Sequence, residues 1–337
     1  MEAIKVEGLT KKFKTKVKAE GFKASVQSLF KSRYRDIEAV RGISFSVQQG
    51  EILAFIGPNG AGKSTTIKMM TGILHPTSGS MNVLGLNPTR DRVKLSYRIG
   101  TVFGQKSQLW FHLPPMDSFK LLGSIYDLDR AQFKKRLDML IDMFEIGQFS
   151  DQPVRKLSLG QRVRCEIAAS LLHSPEIIFL DEPTIGLDVV VKQRIRELII
   201  TLNRDEGVTI FLTSHDAGDI EQLCRRAMVI DHGVVIMDQS VKKLKYDFLN
   251  KKIISVRYTD GMDLPMIEGV EVVKSAANAA KLAVDTRSTN IGVIMQAVSA
   301  AGTIADITIS DPPMEEIIAE IFRQEGGAAK WSKAINM

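Results

Sequence analysis

The amino-acid sequence predicts an α/β fold, in which a mostly parallel core sheet, covered by helices on both faces, surrounds a phosphate-binding loop. Residues 57–64 match the motif G-x-x-x-x-G-K-[ST], with an apolar strand before it and a helix after it. From there to about residue 240, strands alternate with helices, and one strand ends in two acids. Residues 241–337 carry short strands and helices, which predict a small α+β domain after a first domain of residues 1–240.

Length and composition are those of an ordinary globular protein. The 337 residues suffice for a large core, and 44% are hydrophobic and 25% charged. No stretch reaches 18 consecutive apolar residues and the N-terminus has no apolar core, so we expect neither a membrane span nor a signal peptide. Cys165 and Cys224 lie far apart, which fits a reducing cytoplasm without disulfides or a zinc site.

The positive charge is concentrated in one segment. The net charge is +6, yet residues 11–35 alone hold nine basic residues against the single acid Glu20. We interpret about residues 14–37 as a basic insertion, in which Phe22, Val26 and Phe30 lie on one face of a predicted helix. This helix either lies at a membrane surface or packs on its own domain. Local basicity of this kind does not indicate a nucleic-acid-binding protein.

The predicted elements follow hydrophobic periodicity along the chain. In the first domain we expect strands at 3–9, 40–47, 51–56, 80–84, 98–103, 177–182 and 208–213, and a hairpin at 228–238. Helices are expected at 65–70, 117–145, 157–173 and 189–202. In the second domain we expect strands at 252–258, 270–274, 280–285 and 304–309, and helices at 291–300 and 314–323.

The phosphate-binding loop has a chemical reason for its spacing. Only glycine lets the backbone curl tightly enough for several N–H groups to converge on a nucleotide triphosphate. The helix that follows points its N-terminus at the anion. Lys63 places a positive charge at the β- and γ-phosphates, and the hydroxyl of Ser64 is a ligand for Mg²⁺. The predicted loop residues are Gly57, Pro58, Asn59, Gly60, Ala61, Gly62, Lys63, Ser64 and Thr65.

Two acids end an apolar strand later in the chain. Asp181 is placed to hold Mg²⁺ through water, as acids at this position do in other phosphate-loop enzymes. Glu182 follows directly and is placed to deprotonate the attacking water. A solvated strand end is the alternative for such a pair, but the phosphate-binding loop upstream argues against it.

Six motifs, in this order and spacing, resemble the ATP-binding subunits of ABC transporters over residues 1–240. They are the loop 57–65, Gln105 at a strand end, Leu157-Ser158-Leu159-Gly160-Gln161 opening a helix, Leu180-Asp181-Glu182-Pro183, Gly186-Leu187-Asp188 and Ser214-His215-Asp216. The resemblance implies the ABC type of P-loop fold, with a mostly parallel core sheet, an antiparallel β subdomain and a helical subdomain that carries the signature residues 157–161.

The resemblance also implies a role for each site residue, with ATP and Mg²⁺ as cofactors. Gln105 joins Ser64 as a Mg²⁺ ligand, on a loop that senses the membrane partner, and His215 contacts the γ-phosphate. Phe13 stacks on adenine, although it could instead be a core residue. Asp188 couples two active sites. The signature residues, which contact ATP held by an opposite subunit, are Ser158, Gly160 and Gln161.

Several features are similar to the ABC-2-type exporter branch of this family. They are Leu159 in place of the usual glycine, Arg162, Arg164, the run 186–190 and the run 311–316. The resemblance implies a head-to-tail dimer with a second ATP-binding subunit and integral-membrane permease partners. It also implies a peripheral location at the cytoplasmic face of the inner membrane. The basic insertion would contact anionic lipid, and residues 109–113 either meet the permease or belong to the core. The alternatives are an importer subunit and a soluble non-transport ABC ATPase.

Overall fold

The computed structural model describes residues 1–16, 34–104, 107–214, 216–247, 251–261 and 269–324. Gln105, His215 and the centre of the basic insertion, with its predicted helix, lie outside the described residues. The described chain divides into two compact units, the first ending at Gln239 and the second beginning at Ser240.

The first unit contains nine described strands and seven described α-helices. The strands are β1 (Glu2–Lys16), β2 (Tyr34–Gln48), β3 (Ile52–Ile56), β4 (Ser78–Val83), β5 (Ile99–Phe103), β6 (Ile177–Asp181), β7 (Thr209–Thr213), β8 (Arg226–Asp231) and β9 (Val234–Ser240). The helices are α1 (Lys63–Met70), α2 (Arg92–Ser96), α3 (Pro115–Ile125), α4 (Arg130–Met143), α5 (Leu159–Leu171), α6 (Val189–Glu206) and α7 (Ala217–Leu223).

A six-stranded sheet forms the centre of the first unit, in the order β5-β6-β7-β3-β8-β9. Four neighbouring pairs, from β5-β6 to β3-β8, are parallel, which confirms the predicted parallel core. Strand β9 joins through the predicted hairpin at His232 and Gly233, whose positive φ angles of 45° and 81° suit a tight two-residue turn. The strands at the centre are almost wholly buried, as expected for a sheet covered on both faces.

A smaller antiparallel sheet, β2-β1-β4, packs on the central sheet through aromatic rings. The ring of Phe45 on β2 lies 6.0 Å from Phe55 on β3, and Phe55 lies 5.3 Å from Phe211 on β7. Phe179 on β6 lies 5.7 Å from Phe211. This cluster joins three central strands to the small sheet, so it fixes the strand ends that carry the site.

The hairpin of β1 and β2 is longer than the sequence predicts. Its ladder runs from Glu2 opposite Gln48 to Lys16 opposite Tyr34, so the flanks assigned to the basic insertion are strands. The segment assigned to the insertion, about residues 14–37, therefore begins and ends in paired strands, and its bounds as an insertion stay a prediction. Exposed charged pairs occupy the part of the ladder beyond the predicted strands, where Nζ of Lys12 lies 2.5 Å from Oε1 of Glu38. Apolar alternation therefore does not mark this part in the sequence.

The segment predicted as one helix over 117–145 is two helices. Helix α3 ends at Ile125, and Asp129 caps the start of α4 by accepting hydrogen bonds of 3.0 Å from the N–H groups of Ala131 and Gln132. Asp127, between the helices, has a φ of 49°. The apolar spacing continues across this break, so periodicity alone did not reveal it.

The second unit is a four-stranded antiparallel sheet with helices. Its elements are α8 (Val241–Asp247), β10 (Lys251–Tyr258), β11 (Val270–Ala276), β12 (Ala279–Asp285), α9 (Ile291–Ala300), β13 (Ile304–Ser310) and α10 (Met314–Gln324), and the strand order is β11-β12-β10-β13. Side chains of β10 and β12 form one buried cluster with Ile294 and Val298 of α9. The α+β character expected from short strands and helices is present.

Tyr258 provides a test of this second core. Its side chain is 1% exposed and its hydroxyl donates a 2.8 Å hydrogen bond to the carbonyl of Val298 in α9. We expect Tyr258→Phe to lower the free energy of unfolding of the second unit by about 1 kcal/mol, because a buried hydrogen bond is lost. Hydrogen exchange of α9 amides in the full chain measures this change.

The matched control is Tyr246→Phe, because Tyr246 is 69% exposed. We expect no change in α9 protection for that variant. Equal protection of α9 in both variants would contradict the stabilising role assigned to the Tyr258 hydroxyl.

Candidate functional site

A cleft of 510 Å³ lies at the carboxyl ends of the central strands. It brings the phosphate-binding loop together with the two acids that end β6, as parallel neighbouring strands require. The lining residues are Ala39, Asn59, Gly60, Gly62, Lys63, Ser64, Thr65, Lys68, Ile73, Phe103, Gly104, Asp181, Glu182 and Ile185.

Two loop glycines have no room for a side chain. A Cβ on Gly57 would lie 2.2 Å from the carbonyl oxygen of Ile230, and a Cβ on Gly62 would lie 2.6 Å from that of Ala39. Gly62 also has a φ of 110°, which L side chains rarely adopt. The loop therefore curls against the end of β8 and the middle of β2, and α1 begins at its last turn, where Lys63 follows Gly62.

Lys63 lies at the floor of the cleft and is only 5% exposed. Its Nζ donates to the carbonyl oxygens of Gly57 at 2.7 Å and Pro58 at 3.3 Å, and lies 3.8 Å from Oε1 of Glu182. Burial lowers the pKa of Lys63, and the carboxylates of Glu182 and Asp181 act in the opposite direction. A buried positive charge thus faces the two acids across the loop.

Thr213, at the end of β7, forms hydrogen bonds with both acidic residues. Its hydroxyl donates a 2.6 Å hydrogen bond to Oδ1 of Asp181 and accepts one of 3.1 Å from the backbone N–H of Glu182. Glu182 has a φ of 56°, a conformation that is uncommon and strained for a residue other than glycine. Sequence reasoning missed Thr213, and its position at the end of the strand next to β6 is the one signal that points to it.

The loop that contains Gln105 is anchored on both sides. Before it, the N–H of Gly104 donates a 3.0 Å hydrogen bond to the carbonyl of Asp181. After it, Ser107 and the N–H of Gln108 donate to the buried carboxylate of Glu166 in α5. The position of Gln105 itself lies outside the described residues, and its role as a Mg²⁺ ligand stays a prediction.

The signature residues form the start of α5. Ser158 caps the helix by accepting a 3.2 Å hydrogen bond from the N–H of Gln161, whose side chain accepts one of 2.9 Å from the N–H of Ser158. Gly160 packs on α6, because a Cβ there would lie 2.7 Å from Cγ1 of Val191. Leu159 contacts the loop before α6, where a Cβ on Gly186 would lie 3.1 Å from Cδ2 of Leu159.

Asp188 has a local structural role as well as its predicted functional one. Its side chain accepts a 3.0 Å hydrogen bond from the N–H of Val191 and so caps α6.

Phe13 is 37% exposed, which excludes a core position, and the Nζ of Lys11 lies 5.2 Å from its ring centroid. Eight of the predicted site residues that the structure describes do not line the cleft: Phe13, Gly57, Pro58, Ala61, Ser158, Gly160, Gln161 and Asp188.

The run 109–113 divides between core and surface. Leu109 is buried at 4% exposure, whereas Trp110, Phe111 and Leu113 are 38%, 51% and 40% exposed. The described helices include none that is long and apolar enough to cross a membrane.

Comparisons with known proteins agree with this geometry. A profile of the family described as "ABC transporter" matches residues 40–185. The chain is 32% identical over 215 residues to the ABC transporter ATP-binding protein NatA of Bacillus subtilis (strain 168), covering 64% of this chain and 87% of that protein. It is 34% identical over 243 residues to the Nod factor export ATP-binding protein I of Ralstonia nicotianae, covering 72% of this chain and 74% of that protein.

The fold is also similar to a solved ATP-binding cassette. This is the cassette MJ0796, in a dimeric post-hydrolysis state bound to ADP and Pi, with a TM-score of 0.60 and 26% identity. The likeness covers 71% of this chain and 98% of that one. From the motifs that meet in one cleft and from these relatives, the chain belongs to the ATP-binding proteins of ABC transporters, and it is an ATPase.

Proposed function

We propose that this chain is the ATP-hydrolysing subunit of an ABC-2-type exporter, which dimerises head-to-tail around two MgATP. The observation that carries the proposal is that the predicted site residues do not all lie in one cleft. Lys63, Asp181 and Glu182 meet in one cleft, while the signature residues lie outside its lining. In this proposal the cassette is a domain of residues 1–240, and residues 241–337 form a separate small domain.

The cleft suits a nucleotide triphosphate with Mg²⁺. The loop can take its curled path only because Gly57 and Gly62 carry no side chain, and the N–H groups at the start of α1 suit an anion. Oxygen donors of the kind that Mg²⁺ prefers stand at both sides, from Ser64 and from Asp181, which Thr213 orients. Bound Mg²⁺ supplies charge neutralisation at the β- and γ-phosphates.

Hydrolysis in this cleft depends on position and electrostatics. Lys63 stabilises the negative charge on the phosphates. Glu182 accepts the proton of the attacking water, and His215 contacts the γ-phosphate. Because Lys63 now lies 3.8 Å from Glu182, a bound phosphate would compete with the carboxylate for the ammonium and release Glu182 to act as the base.

A second copy of the chain supplies the missing contacts. Ser158 presents its hydroxyl at the N-terminus of α5, where the helix dipole also favours an anion. Asp188 is exposed at the start of α6, close in sequence to the base. We therefore infer that the signature of one chain closes on the nucleotide of the other, and that the isolated chain hydrolyses ATP slowly.

The exporter assignment draws on the branch-specific sequence features and on the relative named for Nod factor export. Trp110, Phe111 and Leu113 form an exposed apolar surface that fits an integral-membrane permease partner. The chain would then lie peripherally at the cytoplasmic face of the inner membrane, with the basic insertion against anionic lipid. An importer subunit is not favoured by these features.

Replacing the proposed base tests the chemistry. We expect Glu182→Gln to lower kcat for ATP by about 100-fold or more, because the amide cannot take the proton, while binding of MgATP is retained. Steady-state ATPase assays and equilibrium titration with MgATP measure the two effects. The matched control is Glu176→Gln, at an exposed acid beside Arg98, and turnover at the normal rate in Glu182→Gln would remove Glu182 as the base.

Recovery of membrane partners tests the transport role. Tagged Glu182→Gln chain is purified with MgATP from membranes of its native host in mild detergent, and we expect polytopic membrane proteins in stoichiometric amounts. Adding Trp110→Ala and Phe111→Ser should reduce that recovery, whereas Val93→Ser, at a residue 72% exposed elsewhere, should not. A chain that stays soluble, or that recovers ribosomal proteins, contradicts the exporter assignment.

A further inference from the structure

A buried ionic cluster lies beside the cleft without lining it. Asp219 of α7 is 0% exposed and Arg196 of α6 is 7% exposed, and Nε of Arg196 donates a 2.7 Å hydrogen bond to Oδ1 of Asp219. The hydroxyls of Thr184 and Ser214 each donate a 2.6 Å hydrogen bond to Oδ2 of the same carboxylate. A buried charge with this many donors is costly to disturb, because each partner would be left unpaired.

The three donors come from three different segments. Thr184 follows the proposed base Glu182 by two positions, Ser214 stands directly after β7, and Arg196 lies inside α6. One carboxylate therefore ties the loop after β6 to the end of β7 and to a long helix. Rigid groups of this kind hold active-site loops in position more precisely than loop contacts alone.

The same arginine holds the other side of position 215. Nη2 of Arg196 donates a 2.9 Å hydrogen bond to Oδ1 of Asp216, and the N–H of Asp216 donates one of 2.9 Å to the hydroxyl of Ser214. Lys192 adds a 2.5 Å hydrogen bond to Oδ2 of Asp216. Burial opposes ionisation of Asp216, yet Lys192 and Arg196 hold its pKa below the ordinary value.

A short path connects the cluster to the proposed base. Ser214 follows Thr213, whose hydroxyl accepts from the N–H of Glu182 and donates to Asp181. The pair of Arg196 and Asp219 thus contacts Ser214 and Asp216, on the two sides of position 215. It also contacts Thr184, two residues after Glu182. The cleft is not lined by any of the six residues of this cluster, so the pair acts through other groups; the six are Thr184, Lys192, Arg196, Ser214, Asp216 and Asp219.

We propose that Arg196 and Asp219 are positioning residues for ATP hydrolysis, which hold in place the backbone next to Glu182 and the residues on both sides of position 215. The inference rests on the proposed roles of Glu182 as base and of His215 as the γ-phosphate contact. If the pair positions these groups, its loss impairs the chemical step. If the pair only stabilises the fold, its loss lowers the melting temperature and leaves the turnover of folded chains unchanged.

The test uses Asp219→Asn in the full chain, with kcat, KM for MgATP and thermal melting measured together. We expect kcat to fall about 10- to 100-fold, as displacement of reacting groups by about 1 Å does, with KM changed less than about 3-fold. Thr184→Val and Ser214→Ala each remove one donor and are expected to give smaller falls in kcat. If Asp219→Asn does not fold, the kcat values of Thr184→Val and Ser214→Ala test the positioning role.

Arg226→Gln is the matched control. Arg226 also joins strands through ion pairs, to Asp238 at 2.6 Å and Glu51 at 3.2 Å, but it is not among the cleft-lining residues. We expect it to lower the melting temperature with kcat unchanged.

Two results would overturn the positioning role. One is an unchanged kcat in the folded Asp219, Thr184 and Ser214 variants, and the other is a parallel loss of kcat and MgATP binding. The Glu182→Gln assay separates these results from failure of the proposed function, since normal turnover in that variant removes the base itself.

Discussion

The register of three parallel strands is the constraint on which the site depends. Asp181 on β6 pairs with Thr213 on β7, and Ala54 on β3 pairs with Leu212, so the loops that follow these strands begin side by side. A slip of one residue would turn Thr213 away from Asp181, because successive side chains of a strand point to opposite faces. Phe45 of the small sheet packs on Phe55 and Phe211, which also contact each other, and these ring contacts oppose such a slip.

Charge balance explains why so many polar groups tolerate burial here. Lys63 is held by loop carbonyls and by Glu182, and Arg196 is held by Asp216 and Asp219. The first group faces the nucleotide cleft and the second lies outside its lining. They are linked by the adjacent residues Thr213, which donates to Asp181, and Ser214, which donates to Asp219. In this account, binding of phosphate changes the partners of Lys63, while the second group keeps the surrounding backbone in place.

The parts of the site that were predictable have local sequence patterns. The phosphate-binding loop and the acids after β6 combine fixed spacing with an apolar strand, so they were found without a structure. Thr213, Arg196 and Asp219 were not found, because single polar residues in a strand end or a helix resemble solvated ones until their neighbours are known. The break before Asp129 was not predicted because apolar periodicity continues through it. The strand ladder at Lys12 was not predicted because apolar periodicity is absent there.

We infer that the nucleotide binds between two copies of the chain, with the cleft of one facing the signature of the other. This arrangement is tested most directly by light scattering and nucleotide counting on purified Glu182→Gln chain at saturating MgATP. We expect a dimer that holds two ATP, and a return to monomer when Ser158→Arg is added, because the larger side chain blocks the signature. A Glu182→Gln chain that stays monomeric with ATP bound would contradict it.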